Sequence, residues 1–108
     1  MANTNPSFEL FYNHFVYITT NEYRTALYVG VTNNIQRRLS LHYFDSQNSK
    51  KSFAGKYNCL YLVYYEGFEN PKDAIVREKE IKKWRREKKN SLISAFNPKW
   101  ETLNNQIV

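Results

Sequence analysis

Five side chains have types and positions that could carry chemistry: Tyr17, Tyr28, Arg38, His42 and Glu78. The tyrosines sit in two short apolar runs, Val16-Tyr17-Ile18 and Tyr28-Val29-Gly30, with the phenols eleven positions apart. A period of two sends Val16, Ile18, Leu27, Val29 and Val31 to one face and Tyr17, Tyr28 and Gly30 to the other. Two phenols and a bare glycine are poor core material. They suit a surface where a phosphate comes close to hydroxyls and backbone, with Gly30 the point of closest approach. Arg38 follows ten positions after Tyr28 and His42 four later, a spacing that stacks both on the flank of one helix. Glu78 falls among apolar helical positions, and an inward carboxylate costs desolvation energy unless it is paired. It is therefore either salt-bridged or holding a cation. Singly each residue has a structural reading: a packed tyrosine, a surface arginine, a hydrogen-bonded histidine, a buried ion pair.

The elements that must position these residues follow from pattern. Asn21 to Thr25 is turn-like, so 15–32 reads as a β-hairpin. Asn33 reads as an N-cap with Gln36 completing a capping box. A helix then runs to about Asp45 with Ile35, Leu39 and Tyr43 as its buried stripe. Ser46 to Gly55 is polar and basic and reads as a mobile loop carrying Lys50, Lys51 and Lys56. Leu60 to Tyr65 is continuously apolar and aromatic, the profile of a central strand. Asn70-Pro71 opens a second helix, with Pro71 at its first position and Asp73 in its first turn. That helix runs to about Arg85, with Ala74, Ile75 and Ile81 facing inward around Glu78. A short helix over 88–96 ends before Pro98, and Trp100 and Leu103 cap the core.

With 108 residues, the chain is expected to form one domain over 15–104 behind an N-terminal extension, 1–14, whose Phe8, Leu10, Phe11 and Tyr12 could dock on it. A formal charge of +6 favours a polyanionic partner, nucleic acid ahead of anionic membrane. The stretch Lys82 to Lys89 holds six cations and one acid. Lys82, Lys83, Arg85 and Arg86, with Lys50, Lys51 and Lys56, are the candidate phosphate contacts. A lone cysteine, Cys59, and the absence of a signal-like start or an apolar span point to a cytoplasmic protein. One cysteine and two histidines supply no zinc-type site, and no P-loop or serine triad is present.

Taken together, the order and spacing resemble the GIY-YIG nuclease family, specifically its small stand-alone bacterial members. Val16-Tyr17-Ile18 stands for the first signature and Tyr28-Val29-Gly30 for the second, followed by Thr32-Asn33, Arg37-Arg38, Ala74-Ile75 through Glu78 to Lys83-Trp84, and Asn97-Pro98-Lys99-Trp100. The first signature departs at its opening, Phe15-Val16-Tyr17. Val31 stands where several repair-type members carry a lysine, which argues against the repair-nuclease subunit as nearest relative. Asn90, Asn97 and Asn104 compete for an asparagine that members carry after the metal-binding helix.

The resemblance implies an α+β domain, a three-stranded antiparallel sheet flanked by helices, that hydrolyses phosphodiester bonds in DNA with one divalent metal, Mg²⁺ or Mn²⁺. By position Glu78 would be the metal ligand and Arg38 the phosphate clamp. Tyr28 would activate or position the attacking water, Tyr17 would support that water or the phosphate, and His42 would accept a proton from a tyrosine. Single-stranded, branched and damaged DNA all remain open as substrates, and the oligomeric state is a monomer or a weak dimer. The rival readings are a nucleic-acid-binding module of the same fold without useful turnover, and a basic protein-interaction adaptor.

Overall fold

The computed structural model describes residues 12–106. Their order is β1 (His14–Thr20), β2 (Leu27–Thr32), α1 (Ile35–Gln47), α2 (Phe53–Lys56), β3 (Tyr61–Phe68), α3 (Pro71–Lys82), α4 (Arg86–Phe96) and a final 3₁₀ turn, Asn104–Gln106. The three strands form one antiparallel sheet in the order β2-β1-β3, the expected α+β architecture. Of the expected N-terminal docking residues, Phe8, Leu10 and Phe11 lie outside the described residues. Tyr12 packs its ring against Gly67 of β3.

The alternation expected of the hairpin holds, but both faces are core. Val16, Ile18 and Val29 pack with Val63, Tyr64, Ala74, Ile81 and Ile93. On the reverse face Phe15 and Tyr17 pack with Ile35, Leu62 and Leu103. Tyr17 is completely buried, so its face is not the open surface expected from two phenols and a glycine. β1 is the middle strand, which is why its side chains are covered on both sides.

The apolar run over 60–65 has a different cause from the one its composition suggests. β3 lies at the sheet edge rather than the centre. Register shifts between Ile18, opposite Tyr64, and Thr19, opposite Leu62, which leaves Val63 as an extra residue in β3. This bulge lets Val63 and Tyr64 both join one core cluster while Leu62 joins the other, breaking the alternation. The exposed edge is then closed by the C-terminal segment. Leu103 N–H donates to the Leu62 carbonyl at 2.7 Å. The Asn104 side chain accepts from Leu62 N–H and donates to the Leu60 carbonyl. Covering an edge in this way removes a template for unwanted pairing.

Local signals set the helix ends to within one to three residues. Asn34, not Asn33, caps α1 and accepts from Arg37 N–H, so the proposed box with Gln36 is not formed. Asn70 caps α3 with Pro71 at its first position, as expected. α3 stops at Lys82, short of Arg85, and α4 begins at Arg86 rather than Lys88. The stripe on α1 is Ile35, His42 and Ser46, whereas Tyr43 is exposed. On α3 the buried set is Ala74, Glu78 and Ile81, whereas Ile75 faces solvent.

Of the three competing asparagines, Asn90 sits on α4 and only accepts from the neighbouring Arg86 guanidinium. Asn104 closes the β3 edge as described. Asn97 is buried just past α4, donates to the Val63 and Glu101 carbonyls and accepts from Glu101 N–H. It ties the helix end to the bulge. Asn97→Ala leaves buried backbone groups unpaired, so a loss of about 1–3 kcal/mol is expected in chemical denaturation. Asn90→Ala, at the protein surface, should change stability by no more than about 0.5 kcal/mol.

Candidate active site

Tyr17 is the fixed point of the site. It pairs across the hairpin with Gly30, and a Cβ on Gly30 would stand 2.5 Å from the Tyr17 hydroxyl oxygen and 2.6 Å from its Cζ. The glycine thus makes room for a buried phenol ring. That is its role in this structure. The ring's polar tip needs a partner in the interior, and α1 supplies it: the Tyr17 hydroxyl lies 3.0 Å from His42 Nε2.

The electrostatics of this pair follow from burial. Burial lifts the Tyr17 phenol well above its ordinary value, Tyr28 adds to the lift, and the Arg38 guanidinium pulls it back. Tyr17 is therefore a neutral phenol at physiological pH. Burial, and then the neighbouring Arg38 charge, bring the His42 imidazole down to about 4, with Asp45 opposing. A neutral imidazole facing a protonated phenol can accept its proton's hydrogen bond. Arg38 acts on both groups, so the cation expected to clamp phosphate stands beside the tyrosine–histidine pair.

Tyr28 completes the cluster from the edge strand β2. Its ring centroid lies 6.0 Å from that of Tyr17 and 5.2 Å, edge-on, from the His42 ring. Unlike Tyr17 it is only half-buried, and it opens into a groove of about 270 Å³ lined also by Leu27, Val29, Phe53, Lys82 and Lys89. Tyr17, Tyr28, Arg38 and His42 are thus brought together.

Glu78 approaches from elsewhere. Its helix contributes Ala74 and Ile81 to the aliphatic core on the other face of the sheet from Tyr17. Its carboxylate is buried and its Oε2 lies 2.6 Å from Lys82 Nζ. Lys82 in turn lines the groove with Tyr28. The link between the carboxylate and the tyrosine cluster therefore passes around the unpaired edge of β2. Among the described residues no three His, Cys, Asp or Glu side chains converge to hold a metal. A single inward carboxylate fits a hard cation such as Mg²⁺, which keeps most of its positions for water and phosphate oxygens. It does not fit a fully protein-caged ion. The ammonium now held at Glu78 shows that the carboxylate accommodates one positive charge.

The basic residues divide by geometry. Lys82 faces the groove, joined by Lys89, which the sequence reading did not select. Lys50, Lys51, Lys83 and Arg85 are exposed. Lys56 lies over the Tyr57 ring at 5.5 Å. Arg86 is engaged within the fold: its guanidinium donates to Asn90 and to the Arg24 and Thr25 carbonyls of the hairpin turn. It fastens the turn, and because these acceptors are neutral oxygens the exposed guanidinium keeps its charge.

The segment over 46–55 is also ordered by its own chemistry. Asp45 accepts from Ser49 Oγ, Lys51 N–H, Ser52 N–H and Ser52 Oγ. These donors hold its carboxyl well below the usual carboxylate range. Ser52 caps α2 through Gly55 N–H, and Gly55 is seated against the Asp45 carboxylate. An acid four residues before one serine and seven before another is the one signal in the sequence that could have shown this knot. Phe53, at the head of α2, is set by it against Tyr28, with ring centroids 6.2 Å apart and planes 26° from parallel.

The chain is similar to known proteins in sequence and fold. The family model of the GIY-YIG catalytic domain matches residues 13–91. A UPF0213 protein of Clostridium perfringens is 38% identical over 82 residues, spanning 76% of this chain and 85% of its own. Another, from Natronomonas pharaonis, is 35% identical over 82 residues, spanning 76% and 92%. The solution NMR structure of the UPF0213 protein BH0048 from Bacillus halodurans superposes with a TM-score of 0.50 at 27% identity, covering 82% of this chain and 89% of that one.

The buried histidine gives the site a pH signature. An imidazole in the unfolded chain titrates near 6.5 and that of native His42 at about 4, so the unfolded state binds the proton first. The stability held by neutral His42 is whole above about pH 6.5 and is lost as pH falls towards 4, by on the order of 3 kcal/mol. Denaturation across that range should show the loss, and His42→Gln should flatten it. A native His42 ring that titrates near 6.5 by NMR would contradict the assignment.

Proposed function

This chain belongs to the GIY-YIG catalytic-domain family, and on that premise we propose that it is a metal-dependent DNA endonuclease that hydrolyses phosphodiester bonds. The observation that supports this reading best is the meeting of Tyr17, Tyr28, Arg38 and His42 at a groove flanked by lysines. A structural aromatic cluster has no need of an arginine beside it. A phosphate does, since a guanidinium keeps its charge and can grip two anionic oxygens at once.

In this reading Arg38 binds the scissile phosphate and balances charge that grows on it. Tyr28, the half-buried phenol, directs its hydroxyl at the attacking water. Tyr17 is too deeply buried to serve as the base and instead holds its neighbours in place. Its hydrogen bond to neutral His42 fixes the phenol orientation. Glu78 would hold the divalent ion, Mg²⁺ or Mn²⁺, after Lys82 gives way. When bound, the ion supplies charge neutralisation at the phosphoryl oxygens and a more acidic water. Lys82, freed from the carboxylate, remains within the groove as a phosphate contact, with Lys89 beside it.

The roles separate by mutation. Glu78→Gln keeps the shape and removes the charge, so metal-dependent cleavage should disappear while DNA binding in the absence of metal persists. Tyr28→Phe should slow single-turnover cleavage by about 10²-fold or more, the usual scale of positioned acid–base help. Arg38→Ala should weaken substrate binding and turnover together, because the contact exists before and during reaction. Near-normal cleavage in Glu78→Gln or in Tyr28→Phe would exclude this mechanism. Intact DNA binding without cleavage by the native protein under any divalent metal would instead assign it as a binding module.

A further inference from the structure

The groove beside Tyr28 has an aromatic wall to which the proposed chemistry assigns no task. Phe53 stacks on Tyr28 at 26°, and its ring centroid lies 4.7 Å from that of Tyr57. Yet Phe53 remains 49% exposed and Tyr57 45%. The burial that anchors this segment is done by Ala54 and Cys59, so the fold does not require a phenyl group at position 53. We propose that the Phe53 ring is a stacking platform for an unpaired base next to Tyr28, beside the phosphate that Arg38 binds, and that the groove therefore takes single-stranded DNA. The proposal rests on the nuclease reading only for the identity of the neighbouring phosphate.

Three observations converge on it. First, the ring is positioned in advance. The Asp45 knot holds Ser49, Lys51 and Ser52 and the Ser52 cap holds α2, so little ordering is left for the moment of binding. Second, the charge is complementary: Lys82 and Lys89 line the same groove, which among the described residues has no acidic lining side chain, and Lys56 lies over Tyr57. Cations tracking a backbone beside exposed aromatic rings are the means by which single strands are bound with little regard to sequence. Third, a paired base has both its π-faces covered by its neighbours in the duplex. A ring half-open beside the phosphate site is useful only to a base that has left the stack.

Binding measured by fluorescence anisotropy in EDTA tests the platform apart from cleavage. The probes are a single-stranded oligothymidylate, an abasic strand of the same length and charge, the same sequence as RNA, and a blunt duplex. The native protein should prefer the oligothymidylate to the abasic strand. Phe53→Ala and Phe53→Leu should weaken oligothymidylate binding by roughly tenfold and leave the abasic strand unchanged, while Phe53→Trp retains full affinity. Circular dichroism checks that each variant is folded. Equal affinity of the native protein for the two strands, equal losses on both in Phe53→Ala, or full affinity in Phe53→Leu would overturn the platform. Tighter binding of duplex or of RNA would overturn the choice of single-stranded DNA. A protein that distinguishes the two strands through Phe53 but cuts nothing with Mg²⁺ or Mn²⁺ would refute the nuclease reading and leave the platform standing. Cleavage that persists with no Phe53 effect on binding would do the reverse.

Discussion

A phenol buried on the middle strand organises this molecule. Tyr17 is wholly covered, and its ring occupies the volume that any side chain at Gly30 would need. Its hydroxyl cannot reach water, so it must find a partner inside, and His42 at 3.0 Å is that partner. This requirement sets where α1 lies against the sheet. It also makes His42, rather than the larger Tyr43, the inward residue of that helix. Once α1 is fixed, Arg38 one turn earlier stands beside the pair, and Asp45 near the helix end can gather the following segment and place Phe53 against Tyr28.

The second constraint is the burial of Glu78. A carboxylate in the interior is costly alone, and the structure resolves that cost locally through Lys82, one turn on. The pair lies on the helix that closes the aliphatic face of the sheet, whereas the tyrosine cluster lies on the opposite face. The edge of β2 is where the two come within reach of one groove. β3 has its own edge closed by Leu103 and Asn104, so the described sheet keeps one edge for structure and leaves the other beside the lysines. This asymmetry explains why Tyr28, on the edge strand, stays half-open while Tyr17, on the middle strand, is sealed. Two similar residues in similar sequence runs acquire different chemistry from strand position alone.

Much of this was legible in the chain. The period-two alternation of Val16, Ile18, Val29 and Val31 against Tyr17, Tyr28 and Gly30 encodes the hairpin and its two faces. Asn70-Pro71 encodes the start of α3, because a proline at the first helical position loses no hydrogen bond. The inward Glu78 follows from helical geometry. Two readings failed for identifiable reasons. The apolar run of β3 looked central because a bulge at Val63 turns neighbouring residues into both cores. The segment 46–55 looked mobile because its order comes from one acid collecting donors four to seven residues away, which leaves no periodic trace.

The sequence by itself determined the main strands and helices, the division of the hairpin side chains into two faces, and the five residues whose types permit phosphate chemistry. These are consequences of local periodicity and of side-chain identity, which need no knowledge of neighbours. Tertiary structure alone decided which of those residues meet, that the Tyr17 face is a core, that His42 is neutral, and that Phe53 and Lys89 border the groove. Each of these depends on what packs against a residue from a distant part of the chain. Burial, and with it the protonation of a buried group, is a property of that packing and not of the residue.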